Sequence, residues 1–141
     1  MELEQLYTEL ILEHNQDKRN KRKLDEATIA EHGHNPSCGD DLTLELDVKD
    51  GVVREAAYTG SGCAISQASA SMMIDLITGK RVEEALELVE TFLGMIRKDV
   101  TDEAALEVLE DAMALQNISN MPARVKCAVL AWHTLKEALK K

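Results

Sequence analysis

Residues 42–59 carry the pattern that most constrains the fold of this chain. The stretch LTLELDV (42–48) alternates apolar and polar side chains, which predicts a strand with one buried face. KDG (49–51) predicts a tight turn, and VVREAAYT (52–59) predicts the antiparallel partner strand. Residues 27–32 are predicted to form a further short strand. The first half of the chain is therefore expected to form a small antiparallel sheet.

Helical periodicity appears on both sides of these strands. Apolar residues recur there every three or four positions, as in amphipathic helices. Helices are predicted over residues 2–15, 64–77, 82–97, 102–116 and 122–139, with a loop at 116–122. This order predicts an α+β fold, with a three-stranded antiparallel sheet packed against about five helices. A length of 141 residues suits a single domain over residues 1–141.

Charge and hydropathy restrict the partners that this chain can have. Its formal net charge of -10 argues against nucleic-acid binding, which needs a basic face. The opening MELEQLYTEL lacks the basic and apolar regions of a signal peptide. No stretch approaches the ~18 consecutive apolar residues of a membrane span. We expect a cytoplasmic protein without nucleic-acid or membrane partners, in which thiols stay reduced.

The three cysteines are the candidate reactive groups. In a reducing compartment they are metal ligands, reactive thiols or inert core residues. Cys38 lies in the turn sequence HNPSCGDDL before the hairpin, and Cys63 follows the hairpin in GSGC. The paired strands should bring these two thiols to the same edge of the sheet. No spacing argument places Cys127 near them, and a small buried apolar residue is an equally good interpretation of it.

Asp40 adds a carboxylate two residues after Cys38, within reach of the same ion. A set of cysteines with one aspartate is acceptable to zinc, which prefers tetrahedral coordination. His32 and His34 precede this turn. They are alternative ligands, or a base for a thiol nucleophile, but histidines on a short strand or loop are also ordinary surface residues.

Three cysteine blocks resemble those of a known family. NPSCGDDLTLEL, TGSGCAISQASASMM and MPARVKCAVLAW are similar to the cysteine blocks of the IscU/NifU N-terminal scaffold family, and more closely to its SufU branch. The resemblance covers nearly the whole chain and implies an IscU-like fold. Two departures from classical IscU are that Lys126 replaces the histidine before the third cysteine, and that NMPARVK replaces the chaperone motif L-P-P-V-K. Both favour the SufU branch.

The resemblance also implies roles for individual residues. The implied metal ligands are Cys38, Asp40, Cys63 and Cys127. Cys38 matches the sulfur-accepting thiol of the family. Arg124 and Lys126 match basic positions of the SufU block, although residues in the first turns of a helix are often basic without such a role.

The implied function is that of a sulfur acceptor and transfer protein in iron–sulfur cluster biogenesis. It would take persulfide sulfur from a SufS-type cysteine desulfurase at a zinc-protected cysteine, and serve downstream iron–sulfur assembly proteins. One alternative is a scaffold that assembles a [2Fe–2S] cluster, and thus binds iron, on the same four residues. Another is a structural zinc domain, which metal removal would unfold.

Overall fold

In the part of the chain that the structure describes, the regular structure is a three-stranded sheet, five α-helices and one 3-10 segment. The computed structural model describes residues 3–16, 19–36 and 39–140, with side chains in the first helix from residue 8 onward. The strands are β1 (Ile29–Asn35), β2 (Asp40–Lys49) and β3 (Val52–Ser61). The helices are α1 (Leu3–Gln16), α2 (Ala64–Ile77), α3 (Val82–Ile96), α4 (Glu103–Leu106) and α5 (Pro122–Leu139). The predicted α+β fold is confirmed.

The sheet follows the predicted hairpin. Its strand order is β1-β2-β3, and both pairs are antiparallel. Leu42, Leu44 and Leu46 are at most 3% exposed, so the alternation in β2 was interpreted correctly. Val48, which follows a shift in the register of β2 and β3, is half-buried. Asp50 and Gly51 form the tight turn with positive φ angles of 55° and 76°.

Helices cover one face of the sheet. On the other face the Leu24 N–H contacts the Glu45 side chain, and the part around His32, His34 and Asp41 is exposed. α5 packs against β1 and β2, and α2 packs against β3 and α5. Gly33 of β1 faces α5 so closely that a Cβ atom on it would overlap Oγ1 of Thr134. Its neighbours His32 and His34 are exposed, because successive strand residues point to opposite faces.

The core is mostly aliphatic, with one aromatic pair at its centre. Trp132 of α5 stacks on Phe92 of α3, with ring centroids 4.0 Å apart and an interplanar angle of 6°. Nε1 of Trp132 donates a hydrogen bond of 2.9 Å to Oγ of Ser69. The Ser69 hydroxyl donates in turn to the carbonyl of Ala128 at 2.6 Å. This buried chain of bonds fixes α2 against α5.

Two predicted segments differ from the structure. The helix predicted over 102–116 is only α4, capped by the Asp102 side chain, and a 3-10 segment occupies Glu107–Asn120. That segment also fills most of the predicted loop 116–122. Glu110 has φ 50° and ψ −126°, which are incompatible with a continuous α-helix. The first strand extends to Asn35, beyond the predicted 27–32, because Asn35 pairs with Asp40 of β2.

No helix in the described part of the chain is both long and apolar enough to cross a membrane.

Candidate metal centre

Three of the four predicted ligands meet at one end of the sheet, where β2 begins and β3 ends. Asp40 opens β2, Cys63 caps α2, and Cys127 lies in the second turn of α5. One ligand atom from each lies within 4.8 Å of the others. The hairpin register explains the first pair, since Asp41 of β2 is opposite Ser61 of β3. Packing of α5 against α2 and β1 adds the third residue. Cys38 lies outside the described residues.

The Asp40 carboxylate is oriented by one bond and is otherwise unsatisfied. Its residue is fully buried, at 0% exposure. Oδ1 accepts a hydrogen bond of 3.0 Å from the backbone N–H of Cys63. Oδ2 is buried and has no hydrogen-bond partner among the described residues. A buried carboxylate oxygen without a partner is costly, so the position is suited to a cation.

Cys63 is both a helix cap and a candidate ligand. Its Sγ accepts a hydrogen bond of 3.4 Å from the backbone N–H of Ser66, in the first turn of α2. The residue is exposed. The Cys63 sulfur thus takes up one of the backbone N–H groups that a helix N-terminus leaves without a helical partner.

The Asp40 carboxylate lies in space that a side chain at position 62 would fill, and residue 62 is a glycine. A Cβ atom on Gly62 would lie 2.8 Å from Oδ1 of Asp40 and 3.1 Å from Oγ of Ser66. Nε2 of Gln67 donates to the Gly62 carbonyl at 2.9 Å, and Nζ of Lys21 donates to Oε1 of Gln67 at 2.7 Å. The sequence pattern identified GSGC only as a strand end, so these supporting residues were missed. Gly62, directly before Cys63, was the one feature of the sequence that could have indicated a close contact at this position.

The remaining candidates lie around this cluster. Cys127 is only 6% exposed, as expected of a core residue. Its sulfur also lies within 4.8 Å of ligand atoms of Asp40 and Cys63, so it is a candidate metal ligand as well. Arg124 and Lys126, in the first turns of α5, are exposed and make no ion pair with any described residue.

His32 and His34 are not part of the cluster. They lie on the open face of the sheet, and Nε2 of His32 is 2.7 Å from Oδ1 of Asp41. Asp41 is exposed and faces away from Asp40, as alternate residues of a strand do.

The donor set determines which ions fit. Two thiol sulfurs and one carboxylate oxygen match the ligands of zinc, which binds sulfur and oxygen in tetrahedral sites. Thiolates also hold iron–sulfur clusters. The described residues provide three ligands, and the turn before Asp40 contains one more cysteine.

Fold and cluster together define an α+β protein in which two thiols and one carboxylate converge at one end of the sheet. The chain belongs to the family described as NifU-like N terminal domain, whose family model matches residues 6–141. This confirms the resemblance to the IscU/NifU family.

Relatives carry both names that the sequence suggested. The iron-sulfur cluster assembly scaffold protein IscU of Thermotoga maritima is 50% identical over 141 residues, which cover 100% of this chain and 97% of the relative. The zinc-dependent sulfurtransferase SufU of Bacillus subtilis is 38% identical over 139 residues, which cover 99% of this chain and 92% of the relative.

A solved structure has the same fold. It is described as a putative iron-sulfur cluster assembly scaffold protein for the SUF system, from Fervidobacterium islandicum. The two structures superpose with a TM-score of 0.88 and 37% sequence identity, over 96% of this chain and 97% of the other. The chain is thus a member of the family of iron–sulfur cluster assembly proteins that includes IscU and SufU.

Proposed function

We propose that this protein accepts persulfide sulfur from a cysteine desulfurase during iron–sulfur cluster biogenesis, at a site that zinc protects. The observation that carries the proposal is the buried Oδ2 of Asp40, which has no hydrogen-bond partner among the described residues. It lies in a cluster with Cys63 and Cys127 whose ligand atoms are within 4.8 Å of one another. A carboxylate buried in this way beside two thiols is best explained by a metal ion between them.

Zinc fits this set of residues. Its ligands would be Cys38, Asp40, Cys63 and Cys127. Zinc, when bound, holds cysteines as thiolates and has no redox chemistry of its own, so it supplies protection against oxidation. The chain's contribution is to fix Asp40 through the Cys63 N–H, and to hold the Cys63 sulfur through the N–H of Ser66.

The sulfur-transfer step is assigned to Cys38. Its thiolate attacks the outer sulfur of the persulfide on the desulfurase, and a new S–S bond forms. The S–S bond of the donor breaks, and the desulfurase cysteine leaves as a thiolate. The exchange transfers one sulfur atom without net oxidation, so it needs no further reactant. The sequence HNPSCGDDL predicts a turn around this thiol, and a turn would give it the access that exchange requires.

The assignment has support from both the sequence and the relatives. The Bacillus subtilis relative is named a zinc-dependent sulfurtransferase. Lys126 stands where classical IscU has a histidine. Exposed Arg124 and Lys126, beside the buried Cys127, would stabilise nearby thiolates and the anionic persulfide. The partners proposed are a SufS-type cysteine desulfurase and downstream iron–sulfur assembly proteins, in the cytoplasm, with residues 1–141 acting as one domain.

A second candidate is a scaffold that assembles a [2Fe–2S] cluster on the same four residues. The observation in its favour is the Thermotoga maritima relative, which is 50% identical over the whole chain and is named a scaffold protein. Thiolates and a carboxylate can hold iron as well as zinc. In this case iron and sulfide are the cargo, and the same cysteines would bind them.

The decisive measurement is cysteine turnover by the cognate desulfurase, with and without the zinc-loaded protein. We expect a large catalytic stimulation and a persulfide on Cys38, detected by mass spectrometry. Cys38→Ala should abolish both, whereas Ser37→Ala, which alters the adjacent residue and leaves all thiols in place, should behave as the native chain does. Stimulation at the native rate by Cys38→Ala would refute the assignment.

Reconstitution with iron and sulfide separates the alternatives. If the protein is a scaffold, it should show a [2Fe–2S] absorption spectrum, which is lost when the cluster passes to an apo-protein. It should not stimulate the desulfurase. A purely structural zinc site predicts unfolding on metal removal and no persulfide on any cysteine.

A further inference from the structure

The exposed part of the sheet face opposite the helices carries three side chains of types that can ligate a metal ion. His32 and His34 lie two residues apart on β1, and Asp41 lies on the neighbouring β2. All three are exposed, and they share one face because His34 is directly opposite Asp41 in the strand register. This face is not covered by α2 or α5.

These side chains already interact. Nε2 of His32 lies 2.7 Å from Oδ1 of Asp41, a diagonal contact across the two strands. The rings of His32 and His34 are nearly parallel, at an angle of 18°, with centroids 6.3 Å apart. The side chains of His32 and Asp41 are 57% and 52% exposed, so nothing in the core restricts their rotamers.

We propose that His32, His34 and Asp41 form a surface site for a divalent transition-metal ion, separate from the cysteine cluster. Two imidazoles and one carboxylate are a donor set that suits zinc and ferrous iron, with further positions left for water. Asp41 offsets part of the ion's charge, and the chain's net charge of -10 raises the local concentration of cations.

The ligand atoms of His32, His34 and Asp41 do not all lie within 4.8 Å of one another, so the proposed site closes by rotation of a side chain. His32 and Asp41 are already in contact, so His34 is the ligand that must turn toward them. Exposed side chains exchange rotamers readily, and none of the described residues forms a hydrogen bond that would hold the His34 ring.

The site shares no ligand with the cysteine cluster. Asp40 and Asp41 are consecutive in β2, and the first is buried while the second is exposed on the opposite face. Gly33 fixes this arrangement for β1, because its lack of a side chain lets α5 approach and directs the two histidines outward. A metal ion can therefore bind at either place without displacing the other.

Calorimetric titration tests the proposal. Zn²⁺ is added to protein that already contains one equivalent of zinc per chain. We expect one further equivalent to bind. His34→Gln should weaken that binding by roughly tenfold or more, and the double substitution of His32 and His34 by glutamine should abolish it. His133→Gln, which removes an exposed histidine on α5, is the matched control and should leave the second equivalent unchanged.

Two results would overturn the proposal: the absence of a second equivalent in the native chain, and equal binding by the double variant. The three positions are exposed, so the variants should melt as the native protein does, and circular dichroism checks this. The histidine variants should retain full stimulation of the desulfurase. Loss of the sulfur-acceptor function and loss of this surface site are therefore distinguishable.

Discussion

The backbone N–H of Cys63 holds one oxygen of the Asp40 carboxylate at 3.0 Å and leaves the other without a hydrogen-bond partner among the described residues. The bond joins the first residue of β2 to the cap of α2. It orients the carboxylate, and the unsatisfied oxygen is the one available to an ion. A substitution of Asp40 should therefore shift the melting temperature in opposite directions in the metal-free and the metal-loaded protein.

Asp40→Asn should raise the melting temperature of the metal-free protein and lower that of the zinc-loaded protein. Without metal, the substitution removes a buried charge, and the amide keeps the bond from Cys63. With metal, it replaces an anionic ligand by a weaker neutral one, and zinc contributes less to stability. Melting curves of both forms measure the two shifts.

Asp41→Asn is the matched control for that experiment, since Asp41 is exposed on the opposite face. It should leave the difference between the metal-free and the one-equivalent zinc forms unchanged. A fall in the melting temperature of both forms of Asp40→Asn would contradict a ligand role for Asp40.

Gly62→Ala should weaken zinc binding by about tenfold, because changes in the residues that hold metal ligands in place typically reduce metal affinity by ~10–100-fold. The added Cβ would lie 2.8 Å from Oδ1 of Asp40, so the carboxylate must move. Competition with a chromogenic chelator measures the affinity. Gly79→Ala is the control: its φ of 86° makes alanine strained, but it is in the turn after α2, away from the site. It should lower stability by roughly 1–2 kcal/mol without changing zinc affinity.

Ser69→Ala should lower the free energy of unfolding by about 1–3 kcal/mol. The serine hydroxyl accepts from Nε1 of Trp132 and donates to the carbonyl of Ala128, and both partners would remain buried without it. Urea unfolding measures the change. Thr91→Ala removes an exposed bond from a hydroxyl to the carbonyl of Glu87, and should change stability by less than about 0.5 kcal/mol. Equal losses in the two variants would contradict a special role for the buried chain of bonds.

His133 should make the protein slightly less stable in mild acid. Burial, and then repulsion from Lys136 and Arg97, lower its pKa below the usual value, while Glu90 and Glu137 oppose this. The unfolded chain therefore takes up a proton first as pH falls below about 6.5. The stability is full above that pH and is reduced below it.

The effect should stay within about 1 kcal/mol, because His133 remains largely exposed to solvent. Unfolding of the native chain and of His133→Gln at pH 7.5 and pH 5.5 tests this sign. Between pH 7.5 and pH 5.5, the variant should lose less free energy of unfolding than the native chain does. A larger loss in the variant would show that the pKa is raised in the folded state.

Much of the fold was predictable because local patterns determine it. The helices over residues 64–77 and 122–139 have the predicted bounds, since a cysteine cap and Pro122 mark where they begin. The alternation in β2 correctly identified its buried leucines. The predicted hairpin also accounts for the approach of Asp40 to Cys63, whereas the predicted approach of Cys38 to Cys63 lies outside the described residues.

The 3-10 segment and the extension of β1 were not predictable in the same way. The periodicity of residues 102–116 is compatible with an α-helix, but α4 ends at Leu106 and the 3-10 segment that follows has a kink at Glu110, whose φ is positive. The end of β1 depends on pairing between Asn35 and Asp40 across a turn. Neither feature leaves a periodic signal, because each depends on contacts outside the segment itself.

Short-range sequence patterns were sufficient for the strands and most of the helices, and the hairpin they predict carries Asp40 and Cys63 to the same end of the sheet. Cys127 joins this pair through tertiary packing, since its position depends on how α5 packs against α2 and β1. The same packing decided which face of β1 is open to solvent. Packing between distant elements depends on the shapes of all the side chains between them, which no local pattern encodes.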